Sequence, residues 1–386
     1  MKTYHVSIKK LIALCCSIAI LVTSLISSAY ASEFESEYSG VTILTDSVPE
    51  EVIGFAQTEF ARLIRSATNN AELFGLPSSS PLDYFLGQPI KVLPTEPSDD
   101  SVYYFPVFYG VDISAILTVV QTKDVLTSSF GRDFAPNLQS LINNCNGEYI
   151  IVATEKSLLA LSQNDNYFLS GYPSEHVTPQ QLDALVSNFD NLQKIDSQSL
   201  ISSNYYPAPA KWDPGAPTYS KRLRGFTGHY QLYGYGWTCW AAVATSIIEY
   251  KTEYKSITQR QVIMDVHGYA DANKTATARQ LLDLFNKYGL YPEYDWPLSF
   301  AEVRENIDSD SPLILTVGED EEDVLHDIVA YGCEIYPGEN YLIIFDPYNF
   351  DGEGGEKIIK VPSNIDDFRY VAHGNSRPWH TCMHSF

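Results

Sequence analysis

The chain has 386 residues, 45% hydrophobic and 19% charged, and a formal net charge of −23 at pH 7. That length is enough for two domains with cores of their own, and an acidic surface of this size works against nucleic acid and anionic membranes as partners. Neither observation identifies a substrate.

Residues 1–31 read as a secretory signal. Lys2, Lys9 and Lys10 stand without an acid, Leu11–Leu25 is an apolar run, and Ala29-Tyr30-Ala31 offers the small residues of a cleavage site. The run is too short to span a bilayer. Leu14 occupies the place before Cys15 where a lipidation site wants a small residue, which argues against a lipoprotein. No later stretch reaches transmembrane length, so the expected product is secreted, without a stable membrane anchor.

After the signal, apolar residues at helical spacing (Val52, Ile53, Phe55, Phe60, Leu63, Ile64) predict a helix over Glu50–Ser66. Ser78–Pro81 and Pro94–Asp100 read as loops. Val102–Gln121 predicts a hairpin turning at Gly110-Val111-Asp112, and Glu148–Thr154 predicts a strand. Ser202–Pro217 holds four prolines, a composition that stiffens and extends a chain. Residues 32–201 are therefore expected to form a separate α+β accessory or pro-domain, followed by a linker at 202–217 and a second domain at 218–386.

The second domain is expected to be α+β, with helices first and antiparallel strands after. Cys239–Tyr250, Ala276–Tyr288 and Phe300–Ile307 predict helices. Pro312–Val317, His326–Glu334, Tyr341–Phe345 and Lys357–Val361 predict strands, with Pro337-Gly338 turning one pair.

Four cysteines follow the signal: Cys145, Cys239, Cys333 and Cys382. Their spacing shows no dense disulfide framework, although a Cys333–Cys382 bridge is admissible. Cys145 and Cys333 read as buried small hydrophobes. His380, Cys382 and His384 are spaced like metal ligands, but a structural zinc wants four ligands, and a mobile tail is the simpler reading. No cofactor or metal is expected. His229, His267 and His373 read as surface or loop residues.

Cys239 opens its helix after the glycine- and aromatic-rich approach Tyr233–Thr238. A helix N-terminus favours a thiolate, and its free N–H groups suit a developing oxyanion. The competing reading is a buried structural cysteine. His326 starts an apolar strand, and if that strand pairs with the next around Pro337–Asn340, Asp346 returns near the imidazole. Taken singly, His326 is a strand histidine and Asp346 a turn residue before proline. Gln231, eight residues before Cys239, offers a side-chain amide as an oxyanion donor or is simply a surface glutamine.

Trp237-Thr238-Cys239-Trp240-Ala241-Ala242 with a glutamine upstream resembles the nucleophile segment of papain-like cysteine peptidases. Ala278–Gly289, Ser311–Ile314, and His326 followed by Asp346-Pro347 resemble the bacterial branch that includes the double-glycine leader peptidases and their secreted relatives. The resemblance covers roughly Thr227–Val361. It implies a papain-like fold and peptide-bond hydrolysis, with Cys239 as nucleophile, His326 as base and acid, Asp346 as orienting group and Gln231 in the oxyanion hole. The partner implied is a peptide or protein substrate. Under the peptidase reading, and not from the resemblance, the N-terminal domain is expected to act as an intramolecular inhibitor that occupies the cleft until the linker is cut. Two features depart from the pattern: the glutamine usually lies five or six residues before the cysteine, and Asp327 follows the histidine where a small or apolar residue is common. The same residues would also serve acyl transfer or cell-wall peptide cleavage, and a papain-like domain without activity would be a binding module.

Overall fold

The computed structural model describes residues 40–123, 125–163, 165–171, 177–178, 180–181, 192–201, 215–318, 325–348 and 354–386. The signal-like residues 1–31 and most of the proline-rich 202–217 segment lie outside them. Two sheets organise the described chain, one of thirteen strands and one of six.

The N-terminal half opens with strand β1 (Val41–Thr45) and helix α1 (Glu50–Thr68). The helix agrees with its predicted span, and Glu50, Glu51 and Arg65 lie at the ends where their charges complement the helix dipole. Short strands β2 (Tyr84–Leu86), β3 (Ile90–Lys91) and β4 (Leu93–Pro94) lead into β5 (Asp100–Tyr109) and β6 (Asp112–Thr122). This is the expected hairpin, and Gly110 takes the left-handed φ of +60° that its tight turn requires. A third meander strand, β7 (Val125–Gly131), pairs with β6 and precedes helix α2 (Ala135–Asn144). The strands β8 (Gly147–Ala153), β9 (Ser157–Leu161), β10 (Asn166–Gly171) and β11 (Gln193–Asp196) build the six-stranded sheet with β1 and β4, and helix α3 (Ser197–Ile201) follows.

The C-terminal half starts with strand β12 (Tyr219–Arg222) and then presents its helices: α4 (Cys239–Lys251), α5 (Gln259–His267), α6 (Ala278–Lys287) and α7 (Phe300–Asp308). Strand β13 (Glu293–Asp295) lies between the last two. Helix α5 is absent from the sequence reading, although Thr258 caps its start and Gly268, at φ +80°, ends it. The strands β14 (Leu313–Val317), β15 (His326–Tyr336), β16 (Glu339–Asp346) and β17 (Gly355–Val361) follow as expected, then β18 (Arg369–Ala372) and β19 (Asn375–His384). One core cluster packs Trp240, Ile247, Phe285 and Ile307 of the helices against Ile328, Ile343 and Ile359 of the sheet.

The sheets bear on three of the sequence readings. A separate N-terminal domain is not confirmed, since β17 pairs antiparallel with β7 and one sheet runs from β13 to β2. A strand edge has unpaired N–H and C=O groups, and β7 covers the one that β17 would otherwise expose. The residues His380, Cys382 and His384 are not a tail: they lie in β19, which pairs with β13 and β14. All four described cysteines are free, and Cys333 cannot reach Cys382 because β14 lies between β15 and β19. Two strand spacings are about 10 Å, beyond the Cα separation a disulfide allows.

Candidate active site

Helix α4 is buried along most of its length, and its alanines let it lie close against β15. Trp240 fixes its first turn, since the indole N–H donates to the carbonyls of Trp237 at 3.1 Å and Lys274 at 2.8 Å. The approach is tied down as well: Asn273 Oδ1 accepts from the Trp237 N–H at 3.0 Å, and Ser246 Oγ from the His229 N–H at 2.9 Å. Cys239 therefore stands at a rigid helix N-terminus, where the first N–H groups have no intrahelical acceptor.

His326 begins β15 and Asp346 ends β16. A simple hairpin through Tyr336↔Glu339 would put Asp346 on the same face as Asp327. One β-bulge between Ala330 and Gly332 shifts the register, so that Val329 faces Phe345. Because side chains alternate across a strand, that shift of one residue turns Asp346 to the His326 face. Gly332 suits the bulge, since a Cβ there would meet the Lys221 carbonyl of β12 at 2.8 Å.

The resulting contact is direct, with His326 Nε2 2.8 Å from Asp346 Oδ1. Cys239 lines the same cleft as His326 and is near enough to add to the stabilisation of a charged imidazole. Asp346 also accepts from the Tyr348 N–H at 2.9 Å and from the Tyr370 hydroxyl, and Lys357 Nζ lies 3.3 Å from its Oδ2. Burial opposes ionisation of Asp346, but His326, Lys357 and these hydrogen bonds outweigh it and hold the carboxyl well below the usual range. Burial likewise opposes a charged His326. The adjacent Asp346 carboxylate and its hydrogen bond, with a smaller contribution from Cys239, reverse that and push the imidazole up.

Gln231 is 1% exposed and lines the same cleft as Cys239, Trp237 and His326. Its backbone N–H donates to Pro347 O at 2.7 Å, which anchors the glutamine beside the end of β16. The eight-residue separation is absorbed by a turn closed by Tyr235 N–H to Leu232 O, with Gly234 at φ +79°. Asp327 points to the other side of the strand, where the Thr316 hydroxyl donates to it at 2.6 Å. Thus Cys239, His326 and Gln231 line one cleft, and Asp346 lies behind His326, lining an adjoining cavity.

Several neighbours escaped the sequence reading. His373 is a turn residue as expected, but it turns inward, lining the cleft with its ring 4.5 Å from that of Tyr348 and its Nδ1 2.7 Å from Ser170 Oγ. Burial, then the charge of Arg377, push its imidazole down to about 3. Lys357 and Tyr370 carry no local signature at all. Lys156 lines the cleft from the N-terminal half. His229 bonds Glu249 at 2.6 Å and His267 stacks edgewise on Trp240, so neither belongs to the site. Among the described residues no group of three or more His, Cys, Asp or Glu side chains is arranged to hold a metal.

An imidazole beside a thiol and bonded to an ionised carboxylate can take the thiol proton and keep it. The helix N-terminus favours the thiolate that remains, and a tetrahedral oxyanion would find the Cys239 N–H and the Gln231 amide. A comparison with curated proteins returned no match. Residues 224–354, about a third of the chain and including all four of these residues, match the family model described as papain-like cysteine protease AvrRpt2. The match does not extend to a specific likeness to the double-glycine leader peptidases; it supports a papain-like cysteine peptidase.

Proposed function

We propose that the chain is a secreted cysteine peptidase that hydrolyses peptide bonds through Cys239, His326 and Asp346. The observation that carries the reading is that Cys239 and His326 line one cleft while His326 Nε2 lies 2.8 Å from Asp346 Oδ1. The Cys239 thiolate attacks the carbonyl carbon while His326 holds the proton. The oxyanion is held by the Cys239 N–H and Gln231, and the imidazolium then protonates the leaving amine. Water, deprotonated by His326, cleaves the thioester and restores the thiol. Secretion rests on the signal-like order of residues 1–31; no helix among the described residues is long and apolar enough to cross a membrane.

The test is hydrolysis itself. The chain from residue 32 onward is expected to cut an unfolded protein into peptides separable by mass spectrometry, and Cys239→Ala is expected to leave it intact. Equal cutting by both would remove Cys239 from the mechanism.

A further inference from the structure

A removable pro-domain would meet the peptidase on its outside, across a surface that stays folded after separation. The contact here is of another kind. Beyond the β7–β17 pairing, Tyr336, Tyr341 and Ile358 of the C-terminal half share a core cluster with Phe60, Phe105 and Phe130 of the N-terminal half. The polar contacts reach the site itself. Lys357, 5% exposed at its side chain, places Nζ 2.5 Å from Asp133 in the loop after β7, 3.0 Å from the Tyr370 hydroxyl and 3.3 Å from Asp346. The cleft loops are held similarly: Tyr348 donates to Gly171 O at 2.5 Å, Asn375 to Thr154 O at 2.6 Å, and Ser170 meets His373.

The charges give this contact a role. Asp346, Lys357 and Asp133 together carry one negative charge, which faces the His326 imidazolium. Were Asp133 neutral, Lys357 would cancel Asp346, and the Cys239 thiolate would be the imidazolium's remaining counter-charge. The other groups facing the pair do not replace the lost carboxylate charge. His373 stays neutral, Tyr370 is held protonated beside Asp346, and Asp327 lies across the strand with its pKa raised by burial. Tyr230, at the edge of the site, is a neutral phenol raised by burial and by Glu356 and Asp346.

We propose that the N-terminal half is a permanent wall of the active site, and that Asp133 is a positioning residue that keeps Lys357 from neutralising Asp346. This rests on the peptidase reading and replaces the expectation of an inhibitory segment that is shed.

In the full chain, Asp133→Asn is expected to lower kcat at least tenfold with KM changed less than about twofold, and to move the alkaline limb of the pH–rate profile to lower pH. Asp133→Glu should recover part of the rate. The double variant Asp133→Asn with Lys357→Met restores a single negative charge, so its alkaline limb should return toward that of the wild type; this arm decides the matter if Asp133→Asn alone fails to fold. A folded Asp133→Asn chain with wild-type kcat and profile, or a double variant with the limb still displaced, would overturn the proposal. In a second arm, a site-specific protease sequence is inserted between residues 202 and 214 and cut. The halves should co-elute and stay active, whereas departure of the N-terminal half with activity kept or gained would also overturn it. An inactive wild type whose Cys239 resists electrophiles would instead count against the peptidase reading.

Discussion

At the scale of residues, Asp346 shows how a buried charge is tolerated. It is 4% exposed, yet it has the His326 ring, the Tyr348 N–H, the Tyr370 hydroxyl and Lys357 as partners. Asp346→Asn keeps the shape and removes the charge. Since the carboxylate raises the His326 pKa, its loss lets the imidazolium lose its proton at lower pH. The expected result is a fall in kcat of about 10²–10⁴-fold and an alkaline limb moved downward, read from a pH–rate profile. The grouping of Cys239, His326 and Asp346 was legible because a cysteine at a helix start, a histidine at a strand start and an aspartate at the end of the next strand are each distinctive in the sequence. Lys357 and Asp133 were not. A lysine in a strand and an aspartate in a loop look like solvated charges until the fold buries them together.

At the scale of elements, the bulge in β15 decides the geometry of the site. The sequence predicts both strands and their turn, and places positions 326 and 346 about equidistant from it. It does not reveal that one residue must be looped out for the two side chains to share a face. The only signal was Gly332, and a glycine in a strand has several readings. Gly332→Val pushes a side chain into the Lys221 carbonyl of β12. It is expected to cost about 1–3 kcal/mol in thermal unfolding, and to reduce activity beyond what partial unfolding explains by separating His326 from Asp346. Helices α6 and α7 were predicted within a residue or two, and the structure shows each begun by a capping box, Thr277 with Gln280 and Ser299 with Glu302.

At the scale of the molecule, the proline-rich segment suggested two bodies and the sheet joined them. Pairing between β7 and β17 links residues more than two hundred positions apart, and nothing in local composition encodes it. A second buried charge cluster reinforces the junction. Glu59 of α1 is 2.7 Å from Arg62 and 3.2 Å from Lys360 of β17, and accepts from Tyr341 at 2.9 Å and Ser128 at 3.0 Å. Removing one partner of such a cluster leaves the others buried without compensation. Glu59→Ala is expected to cost about 3–5 kcal/mol, measured by denaturant unfolding, with both halves lost in one transition. Survival of the C-terminal half in that variant would show that the halves fold independently.

The most direct test of the central claim is covalent. The folded chain is treated with an electrophilic cysteine-peptidase probe at neutral pH, and the modified residue is located by mass spectrometry. Modification at Cys239, abolished in His326→Ala, is the expected result. Modification at Cys145, Cys333 or Cys382 instead, or labelling of Cys239 that is indifferent to His326, would contradict the account.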